Sequence, residues 1–508
     1  MDAIFDDGAP SPCPEPFNLA DYVLAGGAAT PEKIALQIVR PTGAERWSYA
    51  RLSAAVLGTG TGLLSLGLIP GDRVLMRLGN TVDFPVVFLG AIAAGLIPVP
   101  TSAQLTAAEA TVLARTVEPK LIVAGPGVAL PEGDWPVLDA AAVSAFHDRP
   151  PCRIDRGPSD RPAYIVFTSG SSGRPRAVVH AHRAIWARRM MWAGWYGLTA
   201  ADRLLHAGAF NWTYTLGTGL MDPWAAGATA LIPGAGVEAQ ALGLLLKRFD
   251  ATIFAAAPGV YRQMLKSGAR LDLPRLRHGL SAGEKLPDTT RAAWEAATGR
   301  PVHEALGMSE CSTFVSASPH RPAPPGATGY PQPGRRLAVL EDAGAPVPRG
   351  LPGMLAISNR DPGLFLGYLA PEAETKDRFH GEWFLTGDIV RMAEDGAVTY
   401  LGRSDDMMNA GGYRVSPLEV ETAMAAHPAI TDCVAVELRV KADASIIALA
   451  YTGDDVSEAE LEAFAATRLA RYKQPRLWRR VDSLPRGANG KLSRRALRQS
   501  LGDTSDPA

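Results

Sequence analysis

Residues 168–176 read TSGSSGRPR, directly after the apolar run YIVF at 164–167. A strand that opens into a Gly/Ser-rich turn points backbone N–H groups at an anion. The spacing of a Walker loop is not met, because Arg176-Ala177 stands where Lys followed by Ser or Thr is required. Whatever anion this loop meets, it does not meet it as an ordinary P-loop NTPase. Further on come SAGEKLP (281–287), LGMSE (306–310), FLTGD (384–388), GRSDD (402–406) and NGK (489–491). Each sets a charged residue beside a tight turn, and each taken alone is equally compatible with a plain surface turn.

The elements that must position these residues are legible in the hydrophobic pattern. From about residue 30 to 400, apolar runs such as DRVLMRL, KLIVAG, AYIVFTS, ATALIPG and ATIFAAAP alternate with helical stretches such as YARLSAAVLGTGTGLLSLG, AQALGLLLKRF and GVYRQMLKSG. Continuous apolar strands separated by helices predict parallel sheets covered on both faces. Between about 320 and 370 the chain turns Pro/Gly-rich, predicting a smaller β-rich subdomain. After GRSDD, a capped helix (SPLEVETAMAAHP), two strands (CVAVEL, IIALAYTG) and a helix (SEAELEAFAATRLA) predict a small α+β domain. The predicted division is 1–404 and 405–508, and the fold class is α/β followed by a small mobile α+β domain.

Composition narrows the function classes. The chain has 508 residues, 47% of them hydrophobic and 20% charged, and a net charge of -1. That excludes nucleic acid or an anionic membrane as a general electrostatic partner. The apolar stretch at 84–100 is bounded by Pro85, Pro98 and Pro100, and predicts a buried helix and strand, not a membrane span. Cys13, Cys152, Cys311 and Cys433 are scattered without a CxxC pair. With the acidic N-terminus, they suit a reducing cytoplasm.

In this order and over this length, the motifs resemble the superfamily of adenylate-forming enzymes: acyl-CoA synthetases, aryl-acid and medium-chain acid CoA ligases, amino-acid-activating domains and luciferases. The resemblance implies a two-step reaction. A carboxylate attacks the α-phosphate of ATP and expels pyrophosphate, and the acyl-adenylate then passes its acyl group to a thiol. Cations, oriented N–H groups and Mg²⁺ serve such an encounter of anions. By resemblance, Thr168, Ser169, Gly170, Ser171, Ser172 and Gly173 wrap the β- and γ-phosphates, with Arg176 in place of the family's usual Lys. Gly283, Glu284 and Lys285 lie against the adenine. Leu306, Gly307, Met308 and Ser309 wall the nucleotide pocket, with Leu306 where an aromatic often stands, and Glu310 holds Mg²⁺. Asp388 accepts from the ribose hydroxyls, Arg403 reaches ribose or phosphate, and Lys491 bridges carboxylate and α-phosphate. The small domain rotates about the hinge Asp405, bringing Gly411 and Gly412 beside the pantetheine arm of CoA.

The segment 204–234 is expected to wall the acyl pocket. Enzymes for α-amino acids often carry FDxS there, and this chain has Phe210, Asn211, Trp212 and Thr213. A neutral Asn leaves a buried ammonium unpaired, which argues against an amino acid. Phe210, Trp212, Tyr214 and Phe254 suggest a ring-rich cavity for an aromatic, alicyclic or medium-chain acid. Free CoA is the expected acceptor. The alternatives are loading of a carrier protein, or a non-catalytic nucleotide-binding descendant. The basic stretch 473–498 is a candidate surface for CoA phosphates. Residues 485–491 have the PxxxxGK spacing, at which a lysine acetyltransferase and deacetylase act in some relatives, and a homodimer is an allowed assembly.

Overall fold

The computed structural model describes residues 1–169, 175–266, 268, 270–369, 372–410, 413–441, 444–486 and 492–502. The chain forms two compact units, one of Phe5–Leu337 with Ile357–Phe384, the other of Met1–Ile4, Ala338–Ala356 and Leu385–Ala508.

Among the described residues of the first unit, a nine-stranded sheet has at its centre the parallel strands Val302–Met308, His278–Ala282, Ile253–Ala256, Arg203–His206, Thr229–Pro233 and Ile34–Arg40, in that spatial order. Antiparallel strands Ser312–Ser316 and Gly43–Ser48 flank them. A second sheet is fully parallel, in the order Ile97–Pro100, Arg73–Arg77, Leu121–Ala124 and Val137–Asp139. The apolar stretch at 84–100 is a buried helix, Asp83–Ala93, followed by the strand Ile97–Pro100, and no helix among the described residues is long and apolar enough to cross a membrane. The helix Tyr49–Ser65 tolerates its glycines because it packs closely. A Cβ on Gly60 would stand 2.5 Å from Cys152 Sγ and 3.0 Å from Gly90 O of the neighbouring helix.

One expectation is corrected. The run AYIVFTS is apolar throughout, yet its strand, Pro162–Ser169, is antiparallel to Pro175–Ala181 and belongs to a three-stranded sheet with Gly367–Tyr368. The apolar run follows from burial on both faces, not from strand direction. Ile165 packs with Leu75 and Val99, while Tyr164 meets Phe88 on the other side.

In the second unit, residues 388–392 pair antiparallel with Val398–Arg403. Ile430–Lys441, Ala444–Gly453 and Leu477–Arg480 form a three-stranded sheet. Helix Pro417–Met424 starts at Ser416, whose Oγ accepts from Glu419 N, and helix Glu458–Ala466 starts in the same way at Ser457. Met408, Val420, Met424, Leu449, Leu461 and Trp478 fill the core between helices and sheet.

Candidate active site

The hairpin of Pro162–Ser169 and Pro175–Ala181 sets Thr168 opposite Arg176. Gly170, Ser171, Ser172 and Gly173 lie outside the described residues, so the loop is defined here by its two stems. Arg176 Nε donates to Glu374 Oε2 at 2.8 Å, and its guanidinium carbon lies 5.4 Å from the Tyr368 ring centre. Tyr368, paired with Val178 of the hairpin, donates its hydroxyl to Glu310 Oε1 at 2.7 Å. Burial, and then the Glu310 carboxylate, push the Tyr368 phenol up and keep it a donor. His180 Nε2 donates to Ser309 O at 2.7 Å, and burial lowers its pKa to about 4, so the ring is neutral near pH 7. Phe365 N holds Glu310 O at 2.8 Å. The hairpin and the end of LGMSE are therefore one hydrogen-bonded assembly. No sequence motif marks Tyr368, Glu374 or His180.

Leu306, Gly307 and Met308 end the strand Val302–Met308, which doubles back into Ser312–Ser316 with a bulge between Leu306 and Gly307. A Cβ on Gly307 would lie 2.4 Å from Ser312 O, so only glycine fits. Ser312 sits at φ +63 and accepts at Oγ from Arg188 Nη1 at 2.7 Å. Arg188 is clamped in turn by Asp222 at 2.8 and 2.6 Å, a buried pair unmarked in the sequence.

Gly283, at φ +97, turns the chain out of the next parallel strand, His278–Ala282. Glu284 follows it and is half-buried. Lys285 Nζ donates to Glu304 Oε2 at 3.1 Å, and Leu286 N and Arg291 Nη2 bond the same buried carboxylate at 2.9 and 3.0 Å. The Lys285 charge is used within the protein. Both expected adenine-flanking segments leave the carboxyl ends of neighbouring parallel strands, where α/β sheets offer a crevice.

In the other unit, Asp388 and Arg403 face each other across the strand pair, with Arg403 Nη1 3.2 Å from Asp388 Oδ1 and 2.9 Å from Thr386 O. Gly387, at φ +81, leaves room for the guanidinium, since a Cβ there would meet Arg403 Nη2 at 2.6 Å. Arg403 Nε also lies 3.4 Å from the exposed Asp405. Gly411, Gly412 and Lys491 lie outside the described residues. The basic stretch is less available than its composition suggests. Arg494 pairs with Glu421 at 2.7 Å, Arg498 with Asp406 at 2.8 Å, Arg486 with Asp432 at 3.0 Å, and Lys473 with Glu419. Arg476, Arg479 and Arg495 are exposed.

Of the expected acyl residues, Phe210 is buried against Phe84, and its N–H donates to Asn80 Oδ1 at 2.9 Å. Asn211 and Trp212 are half-buried, and Trp212 meets Tyr214 edge-on at 5.1 Å. Phe254 is corrected: it lies with Tyr261 and Trp294 in the core on the other face of the sheet, because strand side chains alternate.

The chain matches the family model described as AMP-binding enzyme over residues 25–369, and that of the AMP-binding enzyme C-terminal domain over 419–491. The chain belongs to the AMP-binding enzyme family. Among its relatives is benzoate–CoA ligase of Thauera aromatica, 30% identical over 96% of this chain and 97% of the relative. A human mitochondrial acyl-coenzyme A synthetase is 28% identical over 96% and 91%. Among solved AMP-binding enzymes, an anthranilate CoA ligase in complex with anthranoyl-AMP superposes with a TM-score of 0.89 at 26% identity, over 97% and 99% of the two chains. A benzoate CoA ligase from Burkholderia xenovorans gives 0.86 at 28%, over 95% and 100%.

Proposed function

We propose that this protein is an AMP-forming carboxylate–CoA ligase. It joins an acid to the α-phosphate of ATP, releases pyrophosphate, and transfers the acyl group to CoA as a thioester. The acid is aromatic, alicyclic or medium-chain. The observation that carries this is the end-to-end likeness to acid–CoA ligases, spanning 96% of this chain and 97% of a benzoate–CoA ligase.

The residues present suit the chemistry. Thr168 and the hairpin stems frame the loop that would grip the leaving pyrophosphate, and Arg176 stands beside it as a cation able to fork onto phosphate oxygens. Glu310 is the carboxylate for Mg²⁺. Among the described residues no three acidic, His or Cys side chains gather to cage a metal, which suits an ion that draws most of its ligands from phosphates and water. Bound there, Mg²⁺ would supply charge neutralisation on the phosphates. Asp388, steadied by Arg403, offers its carboxylate to the ribose hydroxyls. Lys491 stabilises charge building at the α-phosphate, and acetylation there would delete that charge. The division at 404/405, with Asp405 as hinge, serves adenylation first and thiol entry second.

The test is pyrophosphate release across several dozen carboxylates, with and without CoA. Release with ring-bearing or medium-chain acids, and thioester formation only when CoA is added, is expected. Acyl transfer to purified carrier proteins but not to CoA would replace this assignment, and silence across the acid panel would overturn it.

A further inference from the structure

Glu304 stands in the strand Val302–Met308, and its side chain is 2% exposed. It gathers donors from one short stretch of chain: Leu286 N at 2.9 Å, Lys285 Nζ at 3.1 Å and Arg291 Nη2 at 3.0 Å. Arg291 also donates through Nη1 to Val302 O at 2.6 Å, so its guanidinium grips the strand twice. These donors belong to the turn that leaves the neighbouring parallel strand, His278–Ala282, and to the first turn of the helix Asp288–Thr298. Register sets Glu304 opposite Ser281 and Ala305 opposite Ala282. One strand thus holds the turn that follows the other.

Stability gives little reason for a carboxylate here. Burial raises the pKa of Glu304, although Lys285, the Leu286 N–H and Arg291 all pull it down. An apolar side chain of similar size would close the same gap without that desolvation cost. Apolar partners are already in place, since Leu286, Trp294 and Val302 share one core cluster. What an apolar residue could not do is fix Leu286 N and the Lys285 ammonium, and with them the course of 283–286. That course has few other restraints. Gly283 is exposed at φ +97, and the helix Asp288–Thr298 starts at Pro287 without a side-chain cap. The carboxyl ends of neighbouring parallel strands are where an α/β sheet takes its ligand. Glu304 therefore sets the separation of two crevice walls, 283–286 after one strand and 306–308 at the end of the other.

We infer that Glu304 is a positioning residue for nucleotide recognition, holding the turn 283–286 as the base-side wall of the nucleotide site without itself touching substrate. This rests on the acid–CoA ligase assignment above, in which 283–285 lie against the adenine, and adds the residue that holds them there. Glu304→Gln keeps an acceptor for Leu286 N but leaves Lys285 and Arg291 as two cations without their shared counter-ion. Their repulsion loosens the turn. Glu304→Asp keeps the charge but draws the carboxylate back by one methylene, so that it cannot meet all three donors at once.

The experiment measures dissociation constants by calorimetry on the full chain, with Mg²⁺ present, for two probes. One is ATP; the other is inorganic tripolyphosphate, which carries the phosphates but no base. Glu304→Gln and Glu304→Asp are each expected to weaken ATP by about fivefold or more and to leave tripolyphosphate within about twofold. In pyrophosphate-release assays the KM for ATP should rise in step, with kcat nearly unchanged. A general loss of structure would weaken both probes together. Should both Glu304 variants fail to fold, Lys285→Met cuts the same link from its half-buried end and is expected to show the same split. Equal weakening of the two probes, or ATP binding unmoved by the variants, would overturn the inference and leave the ligase assignment intact. The expected split in a protein that turns over no acid would uphold the positioning role and overturn the ligase assignment. No ATP binding by the unmodified protein would overturn both.

Discussion

Glu310 and Arg176 carry the most specific consequences at the level of single residues. Tyr368 donates to Glu310 at 2.7 Å from a buried position, and a hydrogen bond to a carboxylate is worth about 1.5–3 kcal/mol. Tyr368→Phe should therefore lower kcat/KM for MgATP by roughly tenfold or more, leaving the KM for the acid nearly unchanged. Steady-state titration of MgATP checks this, and an unchanged value would remove Tyr368 from the machinery. Arg176 is held by Glu374 with both side chains partly exposed, so their pairing is weak, about 0.2–1 kcal/mol. Glu374→Gln should free the guanidinium and tighten ATP binding by a factor of about two to five, within that range. The gain should vanish in an Arg176→Ala background, measured as an ATP dissociation constant in a double-mutant cycle.

Between elements, the decisive contact is the return of Val302–Met308 into Ser312–Ser316. Gly307→Ala would drive a methyl to 2.4 Å from a backbone carbonyl oxygen, which cannot step aside as a flexible side chain can. The variant should lose about 1–3 kcal/mol of stability and weaken ATP binding, because Ser309 and Glu310 follow directly. Thermal melting and ATP titration of the same sample would reveal whether both move together. The same hairpin leans on Arg188, whose removal strands Asp222 as an uncompensated buried charge. Arg188→Met should cost about 3–5 kcal/mol, and adding Asp222→Leu should recover much of it. A double variant melting no higher than Arg188→Met would show that the pair is not the reason for the loss.

Across the whole molecule, two properties depend on many residues at once. Burial lowers the pKa of His180 and His278 to about 4, and of His182, His206 and His303 to about 3, from an ordinary 6.5. The unfolded chain protonates these rings below pH 6.5 while the folded chain keeps them neutral until about pH 4. Stability from this source is complete above the unfolded value and is lost as pH falls through that window, by up to about 1.4 kcal/mol per pH unit per ring. The melting temperature should fall steeply from pH 6.5 to 4.5, and a flat profile there would contradict it. The second property is the two-step cycle. Asp405→Pro restricts φ at the proposed hinge, so thioester formation from a supplied acyl-adenylate should drop about tenfold or more while pyrophosphate release persists. Equal loss of both half-reactions would rule out the hinge role.

Much was readable without coordinates because it is written in local terms. Apolar runs and caps such as Ser416 mark elements through the backbone's periodicity and its need for hydrogen bonds. The order of TSGSSGRPR, LGMSE and FLTGD marks the reaction class through its resemblance to the adenylate-forming superfamily. What local terms cannot carry is which side chains meet across distance. Nothing near Arg176 in sequence announces Glu374, and nothing beside Glu310 announces Tyr368. The basic run at 473–498 looked like an open surface, yet Arg494 and Arg498 are taken up by Glu421 and Asp406. Phe254 and His206 stand on adjacent strands with similar apolar neighbours. Strand register alone sends one into the core with Trp294 and the other toward Trp212. The chain alone marks the order of the elements and, by resemblance, the reaction class. Only the tertiary fold settles which charges are already paired and which rings fill the core, because both depend on contacts between residues far apart in the chain.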